Sequence, residues 1–269
     1  MRFARLIPFL LLCATLMPAH EKVALADGEA LTFRVAWGIF THAGEISVVA
    51  HSETDDHKPY LAVTTNTSTR GVLRDLFKFE AQSESIFDRD GRMTVYTEAS
   101  AGGKKKTNIS LEFNYKNSTA IFTDFLHTEN SETIAFSATE PMDLITSLVQ
   151  TRCWGLKPGD QRDIQVLFEK EIYLLTVHAL GYETIETPLG TFKTLELEPR
   201  MEKTPAKGMF RKGSKVHVWI AQDDPRKLPV KFEVEFAFGA GVATLVNYQP
   251  PANVANTTAA TSATKPKSE

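Results

Sequence analysis

From Leu31 to about residue 248 the chain repeats apolar and polar residues with a period of two, and few folds can use that pattern. Leu31, Phe33, Val35 and Trp37 alternate with Thr32, Arg34 and Ala36. Ile46 and Val48 continue the pattern, and Phe232, Val234, Phe236 and Phe238 repeat it near the other end. Successive side chains of a strand point to opposite faces, so each run places one face on a core and the other in water. Turn-forming pairs fall between the runs: Asp90-Gly91, Gly102-Gly103, Asn117-Ser118, Pro158-Gly159, Leu189-Gly190 and Gly239 to Gly241. Short strands separated by such turns make antiparallel sheets.

One segment changes period. Between Thr139 and Arg152 the apolar residues Met142, Leu144, Ile145, Leu148 and Val149 fall at helical spacing. Thr139 is placed to cap this helix, Pro141 suits its first turn and Gly155 can end it. A single amphipathic helix in a β chain needs an apolar partner, and the concave face of a curved sheet supplies one. The expected fold is therefore mainly β. A single curved antiparallel sheet rolls into an incomplete barrel or spiral, with one amphipathic helix packed in its concave face. Residues Val72 to Phe79 fit either a helical turn or a strand entry.

Residues 1–26 read as a signal peptide. Arg2 and Arg5 give the positive start, Leu6 to Met17 the apolar stretch, and Ala24-Leu25-Ala26 a small-x-small site with cutting before Asp27. Leu12 precedes Cys13 where a lipobox wants a small residue, so the acylated form is not expected. No later stretch is long and apolar enough for a transmembrane helix, which needs roughly 20 residues. A periplasmic product of 243 residues follows, with 27 basic against 32 acidic residues. That balance gives no basic surplus for nucleic acid. Residues 27–248 form one β-rich domain. Residues 249–269, rich in Pro, Ala, Thr, Asn, Ser and Lys, form a disordered tail. Cys153 is the one cysteine left, and a lone cysteine is most often a small buried hydrophobe.

Motifs for chemistry are sparse. His51, Glu53, Asp55, Asp56 and His57 gather carboxylates and imidazoles, but just before Lys58-Pro59 they read as a solvated acidic turn rather than a metal site. No nucleophile elbow or paired-histidine spacing occurs. Neither a metal nor another cofactor is expected. Two basic runs, Lys104 to Lys106 and Lys203 to Lys215, lie in inter-strand loops and could touch anionic head groups or acidic glycans.

Four stretches in order resemble an exported bacterial family, number 3108 of the domains of unknown function. They are Leu31 to Ile39 with Ala43-Gly44, Asp143 to Arg152, Glu183 to Phe192, and Val218 to Asp224 with Arg226, Leu228, Pro229 and Val230. The resemblance implies export and a β-rich fold, and it brings no activity or catalytic residues.

Three readings of function stand together. The first is a non-catalytic cell-envelope protein binding a lipid, a glycan or an envelope partner, with Phe33, Trp37, Trp219 and Phe236 lining a groove. The second is a protein–protein module for envelope assembly. The third is a hydrolase of envelope polymers, which needs Asp143, Arg152, Glu186 and Asp223 to form one polar cluster. Turn and cap chemistry accounts for these four residue types without a site.

Overall fold

The computed structural model describes residues 22–55, 58–102, 106–137, 140–236 and 239–252. The strands are β1 (Ala30–Trp37), β2 (Phe40–Asp55), β3 (Lys58–Thr69), β4 (Phe79–Phe87), β5 (Met93–Gly102), β6 (Thr107–Asn114), β7 (Thr119–Asp124) and β8 (Glu132–Ala135). After them come β9 (Met142–Asp143), β10 (Gln161–Phe168), β11 (Glu171–Thr187), β12 (Gly190–Arg200), β13 (Lys215–Ala221), β14 (Pro229–Phe236) and β15 (Gly239–Gln249). Two short helices interrupt them, α1 (Gly71–Leu76) and α2 (Leu144–Gln150).

All fifteen strands belong to one sheet, ordered β8-β7-β6-β5-β4-β3-β2-β1-β15-β14-β13-β12-β11-β10-β9. Every pairing is antiparallel except that of β9 with β10. The chain starts in the middle of this sheet, walks strand by strand to one edge at β8, then crosses to the opposite edge at β9 and walks back. Laid flat, fourteen inter-strand gaps would span roughly 65 Å. The link from Ala135 to Met142 is seven residues on, and reaches at most about 25 Å. The sheet must therefore roll up until its edges approach. Across that seam Lys170 pairs with Glu132, and its ammonium lies 5.2 Å from the Phe122 ring centroid. β8 pairs only with β7 and β9 only with β10, so the barrel is left open. Edges of four and two residues present little unpaired backbone to other chains.

The alternation fills the inside of the roll. Leu31, Phe33, Val48, Leu111, Leu245 and Ala243 face inward, and Phe33 packs edge-on against Phe232 with centroids 5.0 Å apart. Full burial of each such side chain stabilises the fold by about 1.5–3 kcal/mol. Helix α2 occupies the concave interior. Thr146, Ser147, Leu148, Val149 and Gln150 are all buried, so the helix is surrounded rather than laid on a surface by one stripe.

Helix α2 is shorter than its spacing suggests. Met142 and Asp143 stay extended because they pair with Val166 and Leu167 of β10. The cap is Asp143, whose carboxylate accepts from the Thr146 amide at 2.9 Å. The expected cap, Thr139, lies outside the described residues. A 3-10 turn, Thr151–Cys153, follows, and Gly155 with φ of 61° ends it. Cys153 is exposed, contrary to the expected buried position. The turn leads the chain out of the core, and Thr151 takes its inward side. Of the stretch Val72 to Phe79, the part up to Leu76 belongs to the helical turn α1, and Phe79 opens β4.

The end of the expected leader is packed into the domain. Ala24 and Leu25 are 7% and 5% exposed. The Gln150 side-chain amide serves this strap as a strand would. Its Nε2 donates to the Lys22 carbonyl at 3.0 Å and its Oε1 accepts from the Ala24 amide at 2.7 Å. Residues 1–21, and all but the first four residues of the expected tail, lie outside the described residues.

Candidate functional site

A concavity of about 530 Å³ lies between the β3–β7 wall and the block formed by α2 and β10. Its two sides differ in chemistry. Thr65 and Thr67 of β3, Ser83 of β4, and Tyr96 with Glu98 of β5 supply a hydroxyl-rich wall. Ile109, Phe122, Ile145, Leu167 and Phe168 supply an apolar one. The inward-facing register of the strands sets this division: Ser83 stands opposite Glu98, Glu98 opposite Ile109, and Ser85 opposite Tyr96. At the mouth lie Lys106, His127 and Asn130, all exposed, with Glu169 beside them.

The polar groups in the floor are already partnered. Asp143, 5% exposed, accepts from Ser85 Oγ at 2.7 Å through one carboxylate oxygen and caps α2 with the other. Tyr96 donates to Glu98 Oε2 at 2.8 Å. Burial first, then the Glu98 charge and hydrogen bond, hold the Tyr96 hydroxyl far above the usual tyrosine range. It is therefore a donor throughout the physiological range. At the mouth, His127 Nδ1 lies 3.6 Å from Asp124. Ser85 gives its proton to a capping carboxylate rather than to an imidazole, which is not the arrangement of an activated nucleophile.

The four aromatic residues expected to line a groove are divided between environments. Phe33 is 1% exposed and belongs to the packed interior. Trp37 and Phe236 stack with centroids 5.6 Å apart near the ends of β1 and β14. Trp219 faces the other side of the sheet. Its neighbour Val218 pairs with Phe232 on the inward face, whereas Trp219 pairs with Lys231. Its indole donates to Glu183 Oε2 at 2.8 Å, and the Lys231 ammonium stands 4.0 Å from its ring centroid. None of the four lines the cleft, whose walls come from β3 to β7, α2 and β10.

The proposed polar cluster is likewise dispersed. Asp143 caps one end of α2. Arg152, just beyond the other end, makes a bidentate pair with Glu29 at 2.8 Å for each bond. Asp223 accepts from the Lys193 amide at 3.1 Å. Glu186 stands opposite Thr191 in the β11–β12 hairpin, exposed. No hydrogen bond or ion pair joins any two of them among the described residues. Only Asp143 reaches the cleft. Asp143, Arg152 and Asp223 play the cap, pairing and turn parts that their residue types favour. The Arg226 guanidinium reaches back across its turn to Asp224, with Nε 2.8 Å from Oδ1.

Sequence reasoning missed Glu29 and Tyr96. Glu29 is 2% exposed and answers Arg152 from 123 positions away. Burial, followed by the nearby Glu29 carboxylate and a hydrogen bond to it, pushes Tyr248 up to about 12. The signal available for Glu29 was an acidic residue directly before an alternating apolar run. The stretch His51 to Asp55 carries ion pairs of an exposed surface, His51 lying 3.5 Å from Asp27 and 3.6 Å from Glu53. Asp56 and His57 lie outside the described residues. Among the described residues no group of three or more metal-ligating side chains forms. No helix among them is long and apolar enough to cross a membrane.

No curated protein matches the sequence. Among solved structures, the chain is similar to a beta-barrel-like protein of the domain of unknown function DUF1849 from Brucella abortus. The TM-score is 0.51 at 6% identity, covering 84% of this chain and 99% of that one. A Bacteroides fragilis protein with a YmcC-like fold matches at a TM-score of 0.31 and 11% identity, over 83% of this chain and 96% of that one. The first likeness concerns fold alone and agrees with the open, rolled sheet. A family model spans residues 32–246, and the chain belongs to that family, described as a protein of unknown function, DUF3108.

Proposed function

We propose that the protein is a non-catalytic binding protein of the cell envelope, exported to the periplasm, that holds an amphiphile in the cleft beside α2. The observation that carries this reading is the split lining: hydroxyls and a carboxylate on β3–β5 face Ile109, Phe122, Ile145, Leu167 and Phe168. A lipid presents the complementary pair of surfaces, an apolar chain and a polar head. Pockets for small ligands are mostly apolar with a few placed polar groups, and this volume falls in their usual range of roughly 300–1,000 Å³. Export is supported by the charged, apolar and small-residue pattern of residues 1–26.

Native mass spectrometry of protein gently released from the periplasm tests it. A lipid mass is expected on the folded protein, and it should be absent from Thr67→Trp, which fills the hydroxyl wall. A bare mass that also takes up no lipid from an envelope extract would remove the proposal.

A further inference from the structure

In a sheet of antiparallel neighbours, every second connection lies at the same end. One end of this sheet carries the β1–β2 turn, α1, the β5–β6 turn, the β7–β8 connection, the β10–β11 turn and the long β12–β13 connection. The described residues of these connections hold nine basic side chains against four acidic ones. At the opposite end the corresponding connections hold seven basic and six acidic side chains. The chain as a whole has a net charge of −3. Topology has therefore gathered basic side chains in the loops at one end of an acidic molecule, and Glu45, Glu80, Glu132 and Glu171 of the adjoining strand ends answer four of them, Arg70, Arg74, Lys170 and Lys207. Lys104 and Lys105 lie outside the described residues.

The same end carries unburied apolar side chains. Eleven large apolar residues are exposed among the described residues, and six of them are here: Ile39, Val72, Leu76, Phe77, Phe125 and Leu126. Helix α1 buries none of its residues. Val72 and Leu76, four apart, share a helix face at 65% and 73% exposure. A helix of six residues with its apolar face in water gains nothing from that face, since packing normally supplies most helix stability. Arg70 and Arg74 flank this face, paired to Glu45 and Glu80, and Lys78 is exposed beside it. The mouth of the cleft, with Lys106, His127, Asn130 and Lys170, opens at this end too.

We propose that this end docks on the surface of an anionic lipid membrane, with α1 and the Ile39 turn entering the headgroup layer and the basic loops resting on it. Basic groups around exposed apolar ones are the chemistry of an interfacial membrane contact. The apolar groups sit on separate tips around the cleft mouth. A fluid headgroup layer accommodates separate tips, whereas a protein partner wants one continuous patch. The proposal rests on the lipid-binding reading and gives it direction: the ligand enters and leaves where the molecule meets the bilayer.

Vesicle flotation tests it on the intact chain. Binding is expected to vesicles of phosphatidylglycerol mixed with phosphatidylcholine, weaker as salt rises and absent with phosphatidylcholine alone. Lys78→Glu, Lys106→Glu and Lys212→Glu together should lower the vesicle partition about tenfold or more, as should Leu76→Ser with Phe77→Ser. Reversing Lys116 and Lys157 at the other end should change it less than about twofold, and circular dichroism should show every variant folded. Equal loss from both ends, indifference to lipid charge, or no binding by the folded wild type would overturn the proposal. So would self-association abolished by Leu76→Ser, which would make the patch an interface between copies. Thr67→Trp should still float with anionic vesicles, so a failed cleft and a failed docking end give different results.

Discussion

At the scale of single residues, the fold depends on a few polar groups placed where water cannot serve them. Glu29 and Arg152 are the clearest case, with side chains 2% and 10% exposed and two hydrogen bonds between them. A pair of this kind adds little over an apolar replacement, but loss of one member leaves the other charged and unpaired. Glu29→Gln is therefore expected to lower unfolding free energy by about 3–5 kcal/mol. Urea denaturation measures it, and a loss below about 1 kcal/mol would show that Arg152 reaches water by another route. The sequence made local pairs of this sort readable and distant ones not. Asp224 and Arg226 pair across a turn only two positions apart. Nothing in the spacing of Glu29 announces a partner 123 residues away.

At the scale of elements, strands were legible and the helix only in part. Phe33 and Phe232 could be assigned to inward faces because period two needs no knowledge of neighbours. Helix α2 starts later than its apolar spacing implies because Met142 and Asp143 are claimed by β10, a tertiary pairing that no local signal carries. The strap before β1 shows the same limit. Val23 and Leu25, inside the expected leader, pack on the core and Gln150 holds the backbone on either side of Val23, contacts that a small-x-small pattern does not announce. A chain beginning at Asp27 loses that apolar burial and strands the buried Gln150 amide. It should be less stable than a chain beginning at Lys22 by about 3 kcal/mol or more. Parallel denaturant titrations of the two chains check this; equal midpoints would mean that the strap adds nothing.

At the scale of the whole molecule, alternation told of a curved sheet, but not of its size or its cleft. The split lining of the cleft arises where β3 to β7 face α2 and β10, elements up to about a hundred residues apart, so residues such as Thr67 and Phe168 carry no joint signature. The basic end was visible only as two unrelated runs. Strand parity across the sheet brings their loops to one side.

The pairing of β1 with β15 also governs when the molecule can exist. Ala30 lies opposite Gln249, so the first strand waits for the last before its second edge is satisfied. Pairings of such separation fold slowly, since loop closure precedes any gain. A chain ending at Phe236 should show no cooperative thermal transition by circular dichroism; two independent melts would mean that each flank of the sheet matures alone. For a chain exported as proposed, passing a narrow pore amino end first, this order of events is a safeguard. The polypeptide stays threadable until its final strand has been delivered, and only then does it lock.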